Sequence, residues 1–263
     1  MFINLYIYSG LGNIIAIVDS IRENVSIHSS DVAKIYRNKS VHFDQLINIL
    51  PPADQNNDFD VNIYNNDGSR ASNCINGARC VSKFIEDNAL SAHKKIKVLT
   101  DGGIWYLEAM NQDRYSASFF VSGDIEHITF NLADQDLSLD CINLGNPHGV
   151  NFKKMDSDQD FLKIGKELQN NKELPDGINF GLAHKVDEKE INLRVYERGV
   201  GETLACGSGA CAAAIVGIHK ENMVSPVKVN FKEGSLLIDY ELESKMISAV
   251  GSATFIEERK IDL

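Results

Sequence analysis

The strongest constraint on this chain is an internal repeat whose period is about half its length. Five landmarks recur in the same order, and the offset between copies drifts only from 133 to 131 residues. The matched positions are Asn13 and Asn146, Tyr64 and Tyr196, Cys74 and Cys206, Lys97-Val98 and Lys228-Val229, and Gly103 and Gly234. Scattered turn-forming Gly and Asn residues would not keep such an order. Because the period is far longer than a solenoid unit, the repeat predicts two homologous domains.

The domain boundaries follow from this repeat. We expect an N-terminal repeat domain over 1–121 and a C-terminal repeat domain over 122–254, with residues 255–263 as a candidate for joining the first. A chain of 263 residues is long enough for two domains of this size to bury cores of their own.

Within each half, short β-branched and aromatic runs indicate strands, and a central helix follows the repeated cysteine. Ala78, Val81 and Ile85 recur at helical spacing, and the segment 210–218 is apolar on every side, as a buried helix would be. The first-half strands predicted are Phe2–Tyr8, Ile14–Val18, Val61–Tyr64, Ile96–Thr100 and Trp105–Ala109. Further helices are predicted over Asp31–Arg37, behind a Ser29-Ser30 cap, and over Asp160–Gln169. The fold class is therefore α+β, with two pseudo-symmetric domains, each a mostly antiparallel curled sheet around a central helix.

The charge balance narrows the classes of partner. The chain carries 37 Asp and Glu against 26 Lys and Arg, a net charge of −11, which disfavours phosphate backbones and anionic lipid. No apolar run approaches the ~18 residues that a membrane span needs. The N-terminal segment has no basic cluster of the kind that opens an export signal, since its first positive side chain is Arg22. We therefore expect a cytoplasmic protein.

Each half places a cysteine directly before its central helix. The segment 72–80 reads SNCINGARC, and the segment 205–211 reads ACGSGAC. A helix N-terminus carries unpaired N–H groups and partial positive charge, so it favours a thiolate and can hold a carboxylate. Two such helix ends facing each other across an interdomain cleft would put one sulfur on each side of an α-carbon. One thiolate could then remove the α-proton while the opposite thiol protonates the other face, inverting the stereocentre without a covalent intermediate.

These motifs resemble the diaminopimelate epimerase family, the cofactor-independent two-cysteine enzymes of bacterial lysine and cell-wall synthesis. The resemblance covers nearly the whole chain, from the GLGN of 10–13 to the C-terminal strands. Its most specific segment, 196–210, reads YERGVGETLACGSGA, and GNPH at 145–148 and NGARC at 76–80 support it. The resemblance implies epimerisation of LL-2,6-diaminopimelate to meso-diaminopimelate, with the active site between the two domains.

The resemblance also implies a role for each matching residue. Cys74 and Cys206 match the acid/base pair, and His148 and Glu197 match two residues that help to set their protonation. Glu197 and Arg198 match the pair that binds the distal amino and carboxylate groups. This suits their chemistry, since a Glu carboxylate accepts from an ammonium group and an Arg guanidinium binds a carboxylate. The substrate-contacting amides matched are Asn13, Gln45, Asn65, Asn146 and Asn179. The backbone groups matched to the reacting carboxylate are those of Ile75, Asn76, Gly207 and Ser208.

Cofactor and partner expectations follow from the same resemblance. It implies no cofactor, an amino acid as the small-molecule substrate, and a homodimer. The acidic charge balance already argues against nucleic acid or membrane as a partner. The spacings from Cys74 to Cys80 and from Cys206 to Cys211 are wider than those of the usual zinc pairs, so no metal site is predicted.

The sequence departs from the family pattern at four places, of which Ile75 bears on activity or substrate and the last two are structural. Ile75 stands where the family has glycine, which would mean strain if that position is left-handed, or a narrower pocket if it is not. Segment 13–15 reads NII in place of NDF, segment 116–123 lacks a Met-Gly…Pro pattern, and segment 232–234 reads KEG in place of a Pro-Gly-Gly turn. The alternatives are a same-fold racemase or isomerase with another substrate, and a non-catalytic binding relative. Retention of the distal-end pair and the five amides favours diaminopimelate, and two symmetric thiols argue against a pure binder.

Overall fold

The computed structural model describes residues 2–37, 41–133, 136–152, 158–174 and 177–263. The chain divides into two compact units. The first comprises Met1–Phe119 together with Val250–Leu263, and the second comprises Phe120–Ala249. No helix in the described part of the chain is both long and apolar enough to cross a membrane.

Strands dominate both halves of the chain. The first half contains β1 (Phe2–Gly10), β2 (Asn13–Asp19), α1 (Ser20–Glu23), α2 (Ser29–Arg37), β3 (Gln45–Leu50), β4 (Phe59–Asn65), β5 (Arg70–Ala71), α3 (Ile75–Asp87), β6 (Lys95–Thr100), β7 (Gly103–Ala109) and β8 (Arg114–Phe120). The second half contains β9 (Glu126–Asn131), β10 (Asp136–Asn143), β11 (Pro147–Asn151), α4 (Asp158–Gln169), β12 (Asn179–Lys185), β13 (Glu190–Glu197), β14 (Gly201–Thr203), α5 (Gly207–Lys220), β15 (Val227–Phe231), β16 (Gly234–Glu241), β17 (Met246–Ser252) and β18 (Thr254–Asp262). The predicted α+β class is confirmed.

The two units repeat the same series of strand pairings. In the first unit β1 pairs antiparallel with β2, β2 parallel with β3, β3 antiparallel with β4, and β4 antiparallel with β5 and parallel with β6. In the second unit β10, β11, β12, β13, β14 and β15 pair in the same order and with the same directions. Further antiparallel pairs, β6 with β7 and β15 with β16, continue the match. The shared topology confirms that the sequence repeat is a duplicated fold.

A central helix packs against the sheet of each unit. Helix α3 contacts β1, β2, β3 and β7, and helix α5 contacts β11, β12, β13, β15 and β16. Residues of α5 from Gly209 to Gly217 are all buried, which explains why its sequence is apolar on every side.

Each unit has a second hydrophobic core, formed under one amphipathic helix: α2 in the first unit and α4 in the second. Val32 and Ile35 of α2 join a cluster with Leu5 of β1, whereas Tyr6 and Tyr8 of the same strand contact the ring of Phe84 on α3. Because alternate strand residues point to opposite faces, α2 and α3 cover opposite faces of the first sheet. Helix α4 forms the matching cluster in the second unit.

All five first-half strands predicted from the sequence are found, each within two residues of its predicted ends. The helix predicted over Asp31–Arg37 begins two residues earlier, so Ser29 and Ser30 lie inside α2 rather than capping it. The Asp31 carboxylate instead accepts from the backbone N–H of His28 at 3.0 Å. Strand β3 was not predicted, because its four central residues are all buried and show no polar alternation.

Candidate active site

Three side-chain amides lie at one edge of the first sheet. Asn13 opens β2, Gln45 opens β3 and Asn65 closes β4. In the register, Gln45 stands opposite both Ile15 of β2 and Asn65 of β4, which puts the three strand ends side by side. Gln45 Nε2 donates to Asn65 Oδ1 at 3.0 Å, and this bond fixes how both amides point.

The Asn13 amide is held by a carboxylate that the sequence did not suggest. Asp44 Oδ2 accepts from Asn13 Nδ2 at 2.9 Å and from the backbone N–H of Ile14 at 2.7 Å. Segment 13–15 lacks the family's carboxylate, but Asp44 brings a carboxylate to the start of β2, where it accepts from the N–H of Ile14. Its only signal in the sequence is its place beside Gln45.

Cys74 caps the N-terminus of α3, as predicted. Its backbone is extended, and its sulfur accepts from the N–H of Gly77 at 3.2 Å. A Cβ on Gly77 would lie 3.0 Å from the Cys74 sulfur and 2.5 Å from Ile47 Cδ1, so a larger residue would have to displace one of these side chains. An N–H directed at the sulfur stabilises negative charge there.

Ile75 occupies its unusual position without backbone strain. It is the first residue of α3, only 2% exposed, and it does not adopt a left-handed conformation. Gly207, the equivalent first residue of α5, does not either. The position therefore does not require glycine for its backbone angles, and the strained alternative for Ile75 is excluded. What Ile75 changes is the side-chain volume next to Cys74.

The second unit repeats the row of site residues at its own sheet edge. Asn146 lies directly before β11, His148 lies within β11 opposite Asn179 of β12, and Glu197 closes β13. Arg198 follows, and its backbone N–H donates to Asn179 Oδ1 at 2.9 Å. All the residues predicted for this half thus belong to neighbouring strand ends or to the helix that follows them.

His148 is a neutral base at physiological pH. It is 2% exposed, and burial, with the charge of Arg198 as a further cause, lowers its pKa to about 3. Its Nε2 lies 2.9 Å from Asn146 Oδ1, an acceptor, so Nε2 carries the hydrogen of the neutral ring. The lone pair is then on Nδ1, the nitrogen that can take a proton.

Cys206 caps α5, and its burial opposes the effect of the helix end on its protonation. The helix end was expected to favour a thiolate, whereas burial raises the pKa of Cys206 well above its ordinary value and the Glu197 charge raises it further. The Ser208 hydroxyl, 3.5 Å from the sulfur, acts in the opposite direction and does not outweigh them. Because its thiol is hydrogen-bonded to the Glu197 carboxylate, Cys206 is an acid next to a base.

Thr203 is a further member of this group. Its hydroxyl donates to Glu197 Oε1 at 2.5 Å and so fixes the carboxylate that faces Cys206. Thr203 lies three residues before Cys206 in the diagnostic segment, but the sequence motif alone gave it no role. Within the described residues, no three His, Cys, Asp or Glu side chains lie together as a metal centre requires.

The comparisons with known proteins agree with this geometry. The family model described as diaminopimelate epimerase matches residues 5–123 and 141–256. The diaminopimelate epimerase of Acinetobacter baumannii strain AYE is 34% identical over 97% of this chain and 95% of its own length. That of Acinetobacter baylyi is 35% identical, with the same coverage of both chains.

Solved structures share the fold at much lower identity. A phenazine biosynthesis protein of the PhzF family from Bacillus anthracis has a TM-score of 0.73 and 16% identity, covering all of both chains. A probable proline racemase from Agrobacterium radiobacter K84 has a TM-score of 0.71 and 12% identity, covering 99% of this chain and 93% of its own. The family model and the full-length relatives identify the lineage within this fold: the chain belongs to the diaminopimelate epimerase family.

Proposed function

We propose that this chain is an isomerase that converts LL-2,6-diaminopimelate to meso-diaminopimelate, in lysine and peptidoglycan precursor biosynthesis. The observation that carries the proposal is the pair of cysteines that cap equivalent central helices, one in each repeat of a family member. A two-base inversion needs two such groups, one for each face of the α-carbon.

The reaction uses one thiolate and one thiol. One cysteine takes the α-proton, and the other gives a proton to the opposite face, so no covalent bond to sulfur forms. The backbone N–H groups of Ile75, Asn76, Gly207 and Ser208 bind the reacting carboxylate and stabilise the charge that develops on it as the proton leaves. These residues open the first turns of α3 and α5.

Neighbouring groups prepare the two sulfurs. Glu197 accepts a hydrogen bond from the Cys206 thiol and is the base to which that proton can pass. His148 is neutral, with its lone pair on Nδ1, and we assign it the second supporting role in setting the protonation of the cysteines. Arg198 and Glu197 bind the distal carboxylate and amino groups, and the five amides orient the substrate.

The test is incubation of LL-diaminopimelate with the reduced protein in D₂O, without cofactor, followed by NMR and mass spectrometry. We expect deuterium at one α-carbon and formation of the meso isomer. No exchange from a folded protein with reduced thiols would contradict the proposal.

A two-base mechanism also predicts the shape of the pH profile. Turnover needs one ionised and one protonated cysteine at the same time, so kcat/KM should rise and then fall as the pH increases. A flat profile would argue against two titrating thiols.

A second candidate substrate class is favoured by one observation. The buried Ile75 side chain follows Cys74 in the chain and stands where the family has glycine, so a side chain is added next to a capping cysteine. The alternative is a same-fold racemase for another amino acid. α-Proton exchange with other amino acids, and none with diaminopimelate, would favour it.

We also infer a homodimer that resides in the cytoplasm, with no nucleic-acid or membrane partner. The net charge of −11 supports the absence of a nucleic-acid or membrane partner, because both carry negative charge. Sedimentation equilibrium tests the dimer, since a particle of 29.2 kDa, the mass of one chain, would contradict it.

A further inference from the structure

Arg79 is a completely buried cation on the central helix of the first unit, and the proposed mechanism assigns it no role. Its side chain is 0% exposed and folds back towards the N-terminus of α3. Nη2 donates to Asn76 Oδ1 at 2.9 Å, and Nη1 donates to the carbonyl of Ile75 at 3.3 Å. The guanidinium therefore lies beside the first turn of the helix, behind the backbone amides proposed to bind the carboxylate.

This position is unfavourable for a cation by general physical chemistry. Burial removes the hydration of a charge, and the N-terminal end of a helix already carries partial positive charge. The fold itself does not demand the cation. The equivalent residue of α5, five positions after its capping cysteine, is Cys211, which is also 0% exposed. Since the second unit builds the same helix without a charge there, the reason for Arg79 is local to the first unit.

The charge of Arg79 acts on the sulfur of Cys80, the next residue of α3. Cys80, also buried, is affected by both Arg79 and Cys74: burial raises its pKa to about 12, Arg79 lowers it and Cys74 raises it. Cys80 therefore stays a thiol at physiological pH and does not compete with Cys74 for negative charge.

The other charged groups packed on α3 cluster at its far end. Tyr8 of β1 donates to Asp87 at 2.9 Å, and Tyr115 of β8 donates to Glu86 at 2.7 Å. Lys83 pairs with Asp87 at 2.8 Å. All of these carboxylates lie in the last turn, two or more turns from Cys74.

We propose that Arg79 is a positioning residue of the first half of the site, which holds the Asn76 side chain and the first turn of α3 and places a positive charge behind them. This proposal rests on the proposed function. Negative charge on the Cys74 sulfur, and on a carboxylate held by the amides of Ile75 and Asn76, is stabilised by that cation. The second half has the opposite arrangement, because the Glu197 carboxylate accompanies the Cys206 thiol. On this proposal, Cys74 is the cysteine that ionises more readily of the two.

The test compares the unmodified protein with Arg79→Met, which removes the charge, Arg79→Gln, which keeps a hydrogen-bonding side chain, and Arg79→Lys, which keeps a charge. Cys211→Ala is the matched control at the equivalent position of α5. Two quantities are measured: kcat and KM for diaminopimelate, and the rate of alkylation of Cys74 and Cys206 by iodoacetamide at several pH values, resolved by peptide mass spectrometry.

We expect Cys74 to react at a lower pH than Cys206 in the unmodified protein. Arg79→Met and Arg79→Gln should raise the pH midpoint of Cys74 alkylation by about one unit and lower kcat by roughly tenfold or more. Arg79→Lys should keep the midpoint near that of the unmodified protein, and Cys211→Ala should change neither quantity. A purely structural role for Arg79 would change the melting temperature without this shift.

The result that overturns the proposal is a folded Arg79→Met variant with unchanged kcat and an unchanged Cys74 midpoint. If that variant does not fold, the same two quantities measured on Arg79→Gln decide the question in the same way. Failure of the proposed function is separate: an unmodified protein that does not epimerise diaminopimelate would refute the activity, whereas the Cys74 midpoints of the variants would still test the charge of Arg79.

Discussion

At the scale of single residues, the two repeats have kept their geometry and diverged in chemistry. The strand registers make Asn65 equivalent to Glu197 and Ile15 equivalent to His148. The first unit thus has uncharged side chains at both of these positions, whereas the second unit has the carboxylate of Glu197 and the imidazole of His148. Such divergence suits a two-base reaction, because the two sulfurs must be in different protonation states when the substrate binds.

The Glu197 carboxylate is expected to control the protonation of Cys206. It raises the pKa of that thiol, so Glu197→Gln should lower the Cys206 pKa and move its alkylation midpoint to lower pH. Iodoacetamide labelling with peptide mass spectrometry measures the midpoint. Glu202→Gln, on the same hairpin and paired with Arg194, is the control and should leave it unchanged. An unshifted midpoint in Glu197→Gln would show that burial alone keeps the thiol protonated.

Each capping cysteine should be indispensable for turnover. Cys74→Ala and Cys206→Ala each remove the group that serves one face of the α-carbon, so both should lower kcat by at least about 10²-fold in each direction. Cys141→Ala, in a half-buried position on β10, should keep its activity. Chiral chromatography of the diaminopimelate isomers measures the rates. Near-normal epimerisation by either capping variant would refute its assignment.

At the scale of elements, the site depends on how closely helices approach the strands that carry it. Gly165 of α4 lies against Tyr196 of β13, the residue before Glu197: a Cβ there would be 2.4 Å from the tyrosine ring. In an exposed helix, Gly→Ala usually stabilises by about 1 kcal/mol, because alanine loses less backbone entropy on folding. At Gly165 the close contact with the Tyr196 ring should make the same substitution destabilising.

We therefore expect Gly165→Ala to destabilise the protein by about 1–3 kcal/mol, since the ring or the helix must shift. Urea unfolding followed by circular dichroism gives the free energy of unfolding. Gly181→Ala is the matched control: its Cβ would lie 3.4 Å from Leu193 Cδ1, an ordinary contact. Equal or greater stability of Gly165→Ala would mean that α4 moves away from β13 at little cost.

At the scale of the whole molecule, the chain returns to the unit where it began. Strand β18 pairs antiparallel with β1 from Phe2 to Ser9, and the rings of Tyr8 and Phe255 lie 5.3 Å apart. In the second unit, β9 pairs in the same way with β10 and directly precedes it in the chain. The C-terminal strand β18 therefore gives β1 the antiparallel neighbour that β9 gives to β10 in the second unit.

Removing residues 254–263 should consequently loosen the first unit. Strand β1 would lose one of its two neighbours, and its backbone amides that bond to β18 should lose protection from hydrogen exchange. Exchange followed by mass spectrometry measures this, and the amides of β11 and β12 in the second unit are the internal control. Unchanged protection of residues 2–9 would show that β2 and the core under α2 suffice.

The duplication, the central helices, five of the first-half strands and both capping cysteines could be read from the sequence, because periodicity, local composition and motif spacing are local properties of a chain. Strand β3, which is buried and shows no polar alternation, could not. The tertiary structure was needed for the contacts of Asp44 with Asn13 and of Thr203 with Glu197, for the buried guanidinium of Arg79, and for the protonation of His148 and Cys206. These properties depend on burial and on distances between side chains, some of them far apart in the chain: 31 residues separate Asn13 from Asp44. A motif specifies which groups are present, whereas their charge states depend on how completely the surrounding fold removes water from them.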